Sequence, residues 1–261
     1  MDWHRSHITT WRRLCYAGVA SLSLVLLAAC TAGKLAAPAV EEGWTHHRDQ
    51  YEGPVAADAA FSIVNPYGDV RVRTSRRGSV LVTSQVQQHG DEDFNIRIDD
   101  DDGVRAITVI ASNERPRGRV DMSVLLPPGK EVELETAGNL AELKYAGHGR
   151  IRTTSGAVSV ETAHHVDVET DSGNVDYALR AVSPSRALTI ETRGEINAWF
   201  LPEANLELIA AAAGPVRISL PGYERVQDQP HRAAVVLGRG GPRIILNSSE
   251  GSVRVRPLPP G

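Results

Sequence analysis

The chain has 261 residues, 41% of them hydrophobic and 23% charged, with 23 Gly and 15 Pro, which is the composition of one globular body with enough apolar material for a core. That excludes a disordered or collagen-like chain. With 28 Lys and Arg against 32 Asp and Glu there is no basic footprint for a phosphate backbone, which argues against a nucleic-acid partner.

Residues 1–29 read as an export signal. Arg5, Arg12 and Arg13 precede an uncharged, mostly apolar run, Cys15 to Ala29, that is shorter than the roughly 20 apolar residues of a comfortable transmembrane helix. The run ends in Leu27-Ala28-Ala29-Cys30, which resembles the bacterial lipobox at all four positions. The resemblance implies cleavage after Ala29 and lipidation of Cys30 on its thiol and then its new amino group. Removal of residues 1–29 leaves Cys30 as the one cysteine of a 232-residue chain with 25 basic and 31 acidic residues, so no intramolecular disulfide is expected. Thr31 is not the Asp that typically holds such lipoproteins at an inner membrane, which favours the outer membrane in a two-membrane bacterium.

Residues 30–55 are rich in Ala, Pro, Gly and polar residues without a sustained period, and are expected to form a flexible tether with a reach of roughly 25–30 Å. The adjacent His46 and His47 in it are expected to be solvated, with no metal.

From Phe61 the chain alternates apolar and polar residues in short runs broken by Gly, Asn and Asp, the period-2 signal of strands: DVRVRT, SVLVTS, FNIRID, AITVIA. Leu206 to Ala213 has helical propensity but is assigned to strand by its place in an internal repeat. That repeat is a glycine followed by an apolar residue two positions on, at Gly68, Gly156, Gly173, Gly194, Gly214 and Gly251, with Gly138 a degenerate copy. A second strand ending in Thr or Ser usually precedes it. Between Gly138 and Gly214 the spacings are 18, 17, 21 and 20 residues. Units that small bury their apolar faces by stacking, so the expected fold is all-β, a β-solenoid (β-helix or β-roll) of roughly 20-residue coils in about ten layers over residues 56–257, with a short tail, 258–261. Each glycine suits a corner needing positive φ or close backbone approach. Pro257, Pro259 and Pro260 are expected to protect the C-terminal end of the stack.

The T-x-S-G-x-V units, the Leu125-Leu126-Pro127-Pro128-Gly129 segment before them and the closing Gly238 to Ile244 turn and strand resemble the bacterial putative adhesin family over residues 56–257. The resemblance implies the β-helical architecture. It brings no catalytic residues and no cofactor.

Other candidate chemistry is explained as structure. Asp99 to Asp102 before Gly103 fails the EF-hand spacing, with Ile98 and Val109 where ligands belong, and is read as a solvated hairpin turn, with weak Ca²⁺ binding the alternative. Gly238 to Gly241 precedes a strand and not a helix, so it is a turn and not a phosphate cradle. His164-His165 lacks a third ligand, so no metal site is expected. A polysaccharide-cleaving β-helix, the strongest enzyme alternative, needs carboxylates in the column three residues after each glycine, expected to point outward: Ala141, Ser159, Asp176, Asn197, Arg217, Arg254. It carries no carboxylate cluster, and no catalytic residues are assigned. Alternation in EINAWF leaves Trp199 on the face opposite Ile196, Ala198 and Phe200, the candidate binding residue. The expected function is a lipid-anchored, extracytoplasmic, non-catalytic binding module, held to the membrane by its lipid, with an envelope protein or glycan as ligand. A structural or stress-related envelope component without a ligand is the alternative.

Overall fold

The computed structural model describes residues 43–90 and 93–259, all strands, turns and loops, with no helix among them. The strands are β1 Trp44–Pro54, β2 Ala60–Asn65, β3 Val70–Thr74, β4 Ser79–His89, β5 Phe94–Asp101, β6 Val104–Ala111, β7 Gly118–Leu126, β8 Glu131–Thr136, β9 Leu140–Lys144, β10 His148–Ser155 and β11 Ala157–Thr162. They continue as β12 Val166–Ser172, β13 Val175–Leu179, β14 Leu188–Thr192, β15 Ile196–Phe200, β16 Leu206–Ala212, β17 Val216–Ile218, β18 Tyr223–Gln229, β19 Arg232–Leu237, β20 Arg243–Ser248 and β21 Val253–Pro257.

They form two mixed sheets. Sheet I has ten strands in the order β1-β4-β7-β3-β9-β11-β13-β15-β21-β17, and sheet II has eleven, β18-β19-β16-β20-β14-β12-β10-β8-β2-β6-β5. From β8 to β17 successive strands alternate between the sheets, and each pairs in parallel with the equivalent strand of a neighbouring repeat. Val158 lies beside Val175 and Val175 beside Ile196 in sheet I, while Ile151 lies beside Leu134 and Val168 in sheet II. Alternation puts one apolar set inward from most strands: Ile63, Val72, Leu134, Ile151, Ile190, Ile196, Phe200, Leu208 and Leu246 are all wholly buried. Leu206–Ala212 is a strand, as its place in the repeat required; Leu206, Leu208 and Ala210 point into the core.

The corner glycines stack on one another. A Cβ on Gly173 would lie 1.8 Å from the carbonyl oxygen of Gly156, one on Gly194 2.3 Å from that of Gly173, and one on Gly251 2.3 Å from that of Gly194. Close backbone approach therefore selects glycine along this column, and only Gly156 also needs a positive φ, 101°. The preceding Thr and Ser have a matching role. The Thr192 hydroxyl donates to the Gly173 carbonyl at 2.6 Å and accepts from the Gly194 N–H at 2.9 Å. Ser248 does the same between Gly194 and Gly251, at 2.6 and 2.9 Å. These hydroxyls satisfy corner groups that the ladder leaves over.

Three expectations are corrected. The tether expected over residues 30–55 does not hold for residues 44–54, because Trp44–Pro54 is a strand paired antiparallel with β4 across all eleven residues. Of its residues only Gly53 is buried, so burial never imposes the alternation that would have marked it. The C-terminal strand does not end the stack: β21 lies between β15 and β17, and Pro257 pairs with Phe200 inside sheet I. The edges are β1, β17, β5 and β18, the last bulged between Arg225 and Gln227. The third correction concerns Ala141. It is core, 1% exposed, because Asn139 at φ 69° takes the corner position and shifts that copy by one residue.

Candidate binding face

With the slip at Asn139 included, the outward column of sheet I reads Ser123, Arg71, Glu142, Ser159, Asp176, Asn197, Arg254 and Arg217 in continuous register. Each is set beside the next at strand spacing, so side chains of neighbouring repeats meet. Asn197 donates to the Asp176 carboxylate at 3.1 Å, and Arg254 reaches Glu195 at 3.3 Å.

Trp199 projects from this face one step further along β15. Ile196, Ala198 and Phe200 are wholly buried, as the alternation required, and Trp199 is half-buried on the other side. Its register neighbours are Ala178, too short to cover an indole, and the exposed Arg256. An aromatic plate beside Asn197, Asp176 and two arginines can stack on an apolar ring face while offering donors and acceptors at its rim. Cys30 and Ala29 lie outside the described residues.

A charge cluster around two buried carboxylates, Glu142 and Asp69, occupies the same face. Glu142, 8% exposed, is held by Arg71 at 3.5 Å, Arg73 at 3.2 Å and Lys144 at 3.2 Å. Asp69 pairs with Arg71 at 2.9 Å and with Arg119 at 2.8 Å, and Arg119 also holds Asp121 at 2.7 Å. Every carboxylate here has an arginine, so the cluster ties β3, β7 and β9 together. The αL-tolerant Asn139 is the signal that would have found it.

The remaining candidates are turns. Asp101 pairs with Val104 across a two-residue loop, Asp102 at φ 44° and Gly103 at φ 79°, which is the hairpin expected of the acidic run. Arg105 grips Asp100 through two nitrogens, at 2.6 and 2.7 Å, and this charged hydrogen bond holds the Asp100 carboxyl below its usual range. Gly238 to Gly241 is the turn between β19 and β20.

His164 and His165 do acquire a third histidine. His148 sits one repeat earlier, its ring centroid 5.2 Å from that of His164 and 6.5 Å from that of His165, while Asp167 takes the His165 Nε2 at 3.0 Å. The repeat spacing of 16–17 residues is the signal that links them. Burial first, then the neighbouring His164, Arg186 and His165, push the His148 pKa down, with Glu131 opposing. Among the described residues no group of three or more His, Cys, Asp or Glu is placed to hold a metal ion.

Clefts lie at the outer faces and ends. One of about 260 Å³ is bordered by Glu135, Arg152, Glu169 and Asp171 on sheet II, and one of about 540 Å³ opens between β1 and β5 beside Tyr51, Phe94 and Ile96.

No family model and no curated protein matches the chain. Solved structures do resemble it, and those named are adhesin-like. A putative cell adhesion protein from Clostridium sporogenes is 11% identical, with a TM-score of 0.47, covering 82% of this chain and 100% of that one. A putative adhesin from Bacteroides fragilis is 11% identical, with a TM-score of 0.30, covering 81% and 97%. One from Parabacteroides distasonis is 12% identical, with a TM-score of 0.31, covering 80% and 97%.

Proposed function

We propose that this chain is a lipid-anchored, non-catalytic binding module of the bacterial cell envelope. Its body is a β-solenoid, and its ligand, an envelope protein or glycan, is met by the outer face of sheet I around Trp199. The observation that carries the reading is the division of chemistry between inside and outside. Apolar side chains fill the space between the sheets, whereas Asp176, Asn197, Arg254, Arg217 and Trp199 share one outward surface. The solenoid is supported by strands that alternate between sheets and pair in parallel with the next repeat, and by the glycine column at the corner. The anchor is supported by Leu27-Ala28-Ala29-Cys30. Two or three acyl chains, at about 0.8 kcal/mol per buried CH₂, give stable residence where a single short chain is marginal. Thr31 after the cysteine supports the outer membrane in a two-membrane host.

Mass spectrometry of the protein recovered from membranes tests the anchor. A mature chain beginning at acylated Cys30, and an unprocessed Cys30→Ser precursor, are expected; a free Cys30 thiol or another first residue would remove it. A structural envelope component is the second reading, favoured by the paired charges along the outer faces, such as Arg150 with Glu169 at 2.9 Å and Arg180 with Glu161 at 2.6 Å.

A further inference from the structure

The outer face of sheet II changes character along the sheet. Over β8, β10 and β12 it is a lattice of charges, with Glu133, Arg152, Glu169 and Arg150 in contact. Over β16, β19 and β20 it turns apolar: Ile209 lies in register with Ile245 on one side and Ala234 on the other, with Ala211 and Val236 alongside. Ile245 is 36% exposed, and Val226, in the bulge of edge strand β18, is 68% exposed. Isoleucines paired side by side on an outward face form a contiguous patch.

The charges around this patch form a pattern of their own. Three outward rows cross β19, β16, β20 and β14. The middle row is Ala234, Ile209, Ile245, Thr189. On one side of it Glu207 stands beside Arg243, and the two are 3.2 Å apart. On the other side the row is Arg232, Ala211, Asn247, Glu191. A two-fold axis parallel to the strands, midway between β16 and β20, brings each strand of one copy over its mirror strand in the next. Ile209 then meets Ile245 of the second copy, Glu207 meets Arg243, and Arg232 meets Glu191. Among the described residues Arg232 and Glu191 make no ion pair within this chain, and Glu191 sits in register beside a like charge, Glu169.

We infer that the outer face of sheet II over β14, β16, β19 and β20 is an isologous docking surface for a second copy of this chain. The face is complementary to itself under one rotation, with apolar against apolar at the centre and the two free charges paired at the rim, each pair occurring twice. Four strands at about 4.8 Å and three rows about 7 Å apart cover roughly 400 Å² per copy, half of a standard interface, which puts the association among the weak, transient ones.

Sedimentation equilibrium of the full chain in density-matched detergent, across micromolar concentrations, tests this. The wild-type chain is expected to approach two copies per particle. Arg232→Glu and Glu191→Arg, each placing like charges opposite one another twice, should each weaken association by about 100-fold. The double variant reverses both charges and should restore association to near wild type. Both residues lie on the outward face, and far-UV spectra matching wild type establish that each variant is folded. A monomeric wild type, single variants that associate as tightly as wild type, or a double variant no better than either single one would overturn the inference.

Discussion

Adding one methyl group at Gly173 is the sharpest perturbation of this fold. The new Cβ would sit 1.8 Å from the Gly156 carbonyl oxygen, a backbone atom that no rotamer can move. An ordinary carbon–oxygen contact is about 3.3 Å, so the two repeats must part by about 1.5 Å at the corner. The Val158 N–H to Asn174 bond, 2.9 Å, and the Val175 N–H to Glu195 bond, 2.8 Å, flank that corner and cannot both survive such a movement. Strain of overpacking plus one or two broken, partly buried backbone bonds amounts to about 3–5 kcal/mol for Gly173→Ala. The stiffer unfolded chain returns only about 0.4–1 kcal/mol. With a urea dependence of about 2 kcal/mol per molar, the unfolding midpoint should fall by about 2 M. Gly78 has nothing within 4 Å of its Cβ position and is the control, since Gly78→Ala should leave the midpoint unchanged or slightly higher. A Gly173→Ala midpoint within about 0.5 M of wild type would refute the stacked-corner explanation of the repeat.

Two buried tyrosines should respond oppositely to loss of their hydroxyls. Tyr145 donates to the Pro127 carbonyl at 2.6 Å and accepts from the Lys130 N–H at 2.9 Å, so Tyr145→Phe strands both and should cost about 1–3 kcal/mol in urea unfolding. Among the described residues the buried Tyr177 hydroxyl makes no well-formed hydrogen bond, its nearest backbone neighbour being Val166, so Tyr177→Phe should be neutral or stabilising by the same measurement. Burial pushes the Tyr145 pKa up to about 12. Its contribution to stability is therefore complete below the unfolded-state value of about 10 and lost as pH rises toward the folded value; Tyr145→Phe should flatten that alkaline loss in a pH series of thermal melts. At the acid end, His148 has its pKa lowered, so its contribution is present above the ordinary histidine value of about 6.5 and lost as pH falls below it. His148→Gln should reduce that loss, and the imidazole proton shift of His148 should titrate below the ordinary value.

Much of this architecture was legible because the glycine repeat reports a physical contact. Gly173 and Gly194 recur where one backbone touches the next, and Thr192 and Ser248 precede them because their hydroxyls satisfy the carbonyls at that contact. Trp199 was placed by alternation alone. What escaped obeys other rules. Trp44–Pro54 buries almost nothing of its own and is a strand only because β4 lies beside it. Asn139 inserts a left-handed residue that moves Glu142, not Ala141, onto the outer face, and with it a whole charge cluster. The placement of β20 and β21 between β14/β15 and β16/β17 is a long-range choice that no local spacing records. His148 joined His164 and His165 only once the repeats were in register.

The most direct test of the functional account is saturable binding of residues 43–261, which lack Cys30 and so carry no acyl chain, to isolated bacterial envelopes, compared with Trp199→Ala in the same segment. Trp199 is half-buried on an outward face, so its truncation should leave the unfolding free energy within about 1 kcal/mol of wild type while weakening envelope binding by about tenfold or more, as loss of an aromatic hot spot does. Equal, saturable binding by both chains, or no binding by the wild type, would contradict a binding module acting through the outer face of sheet I.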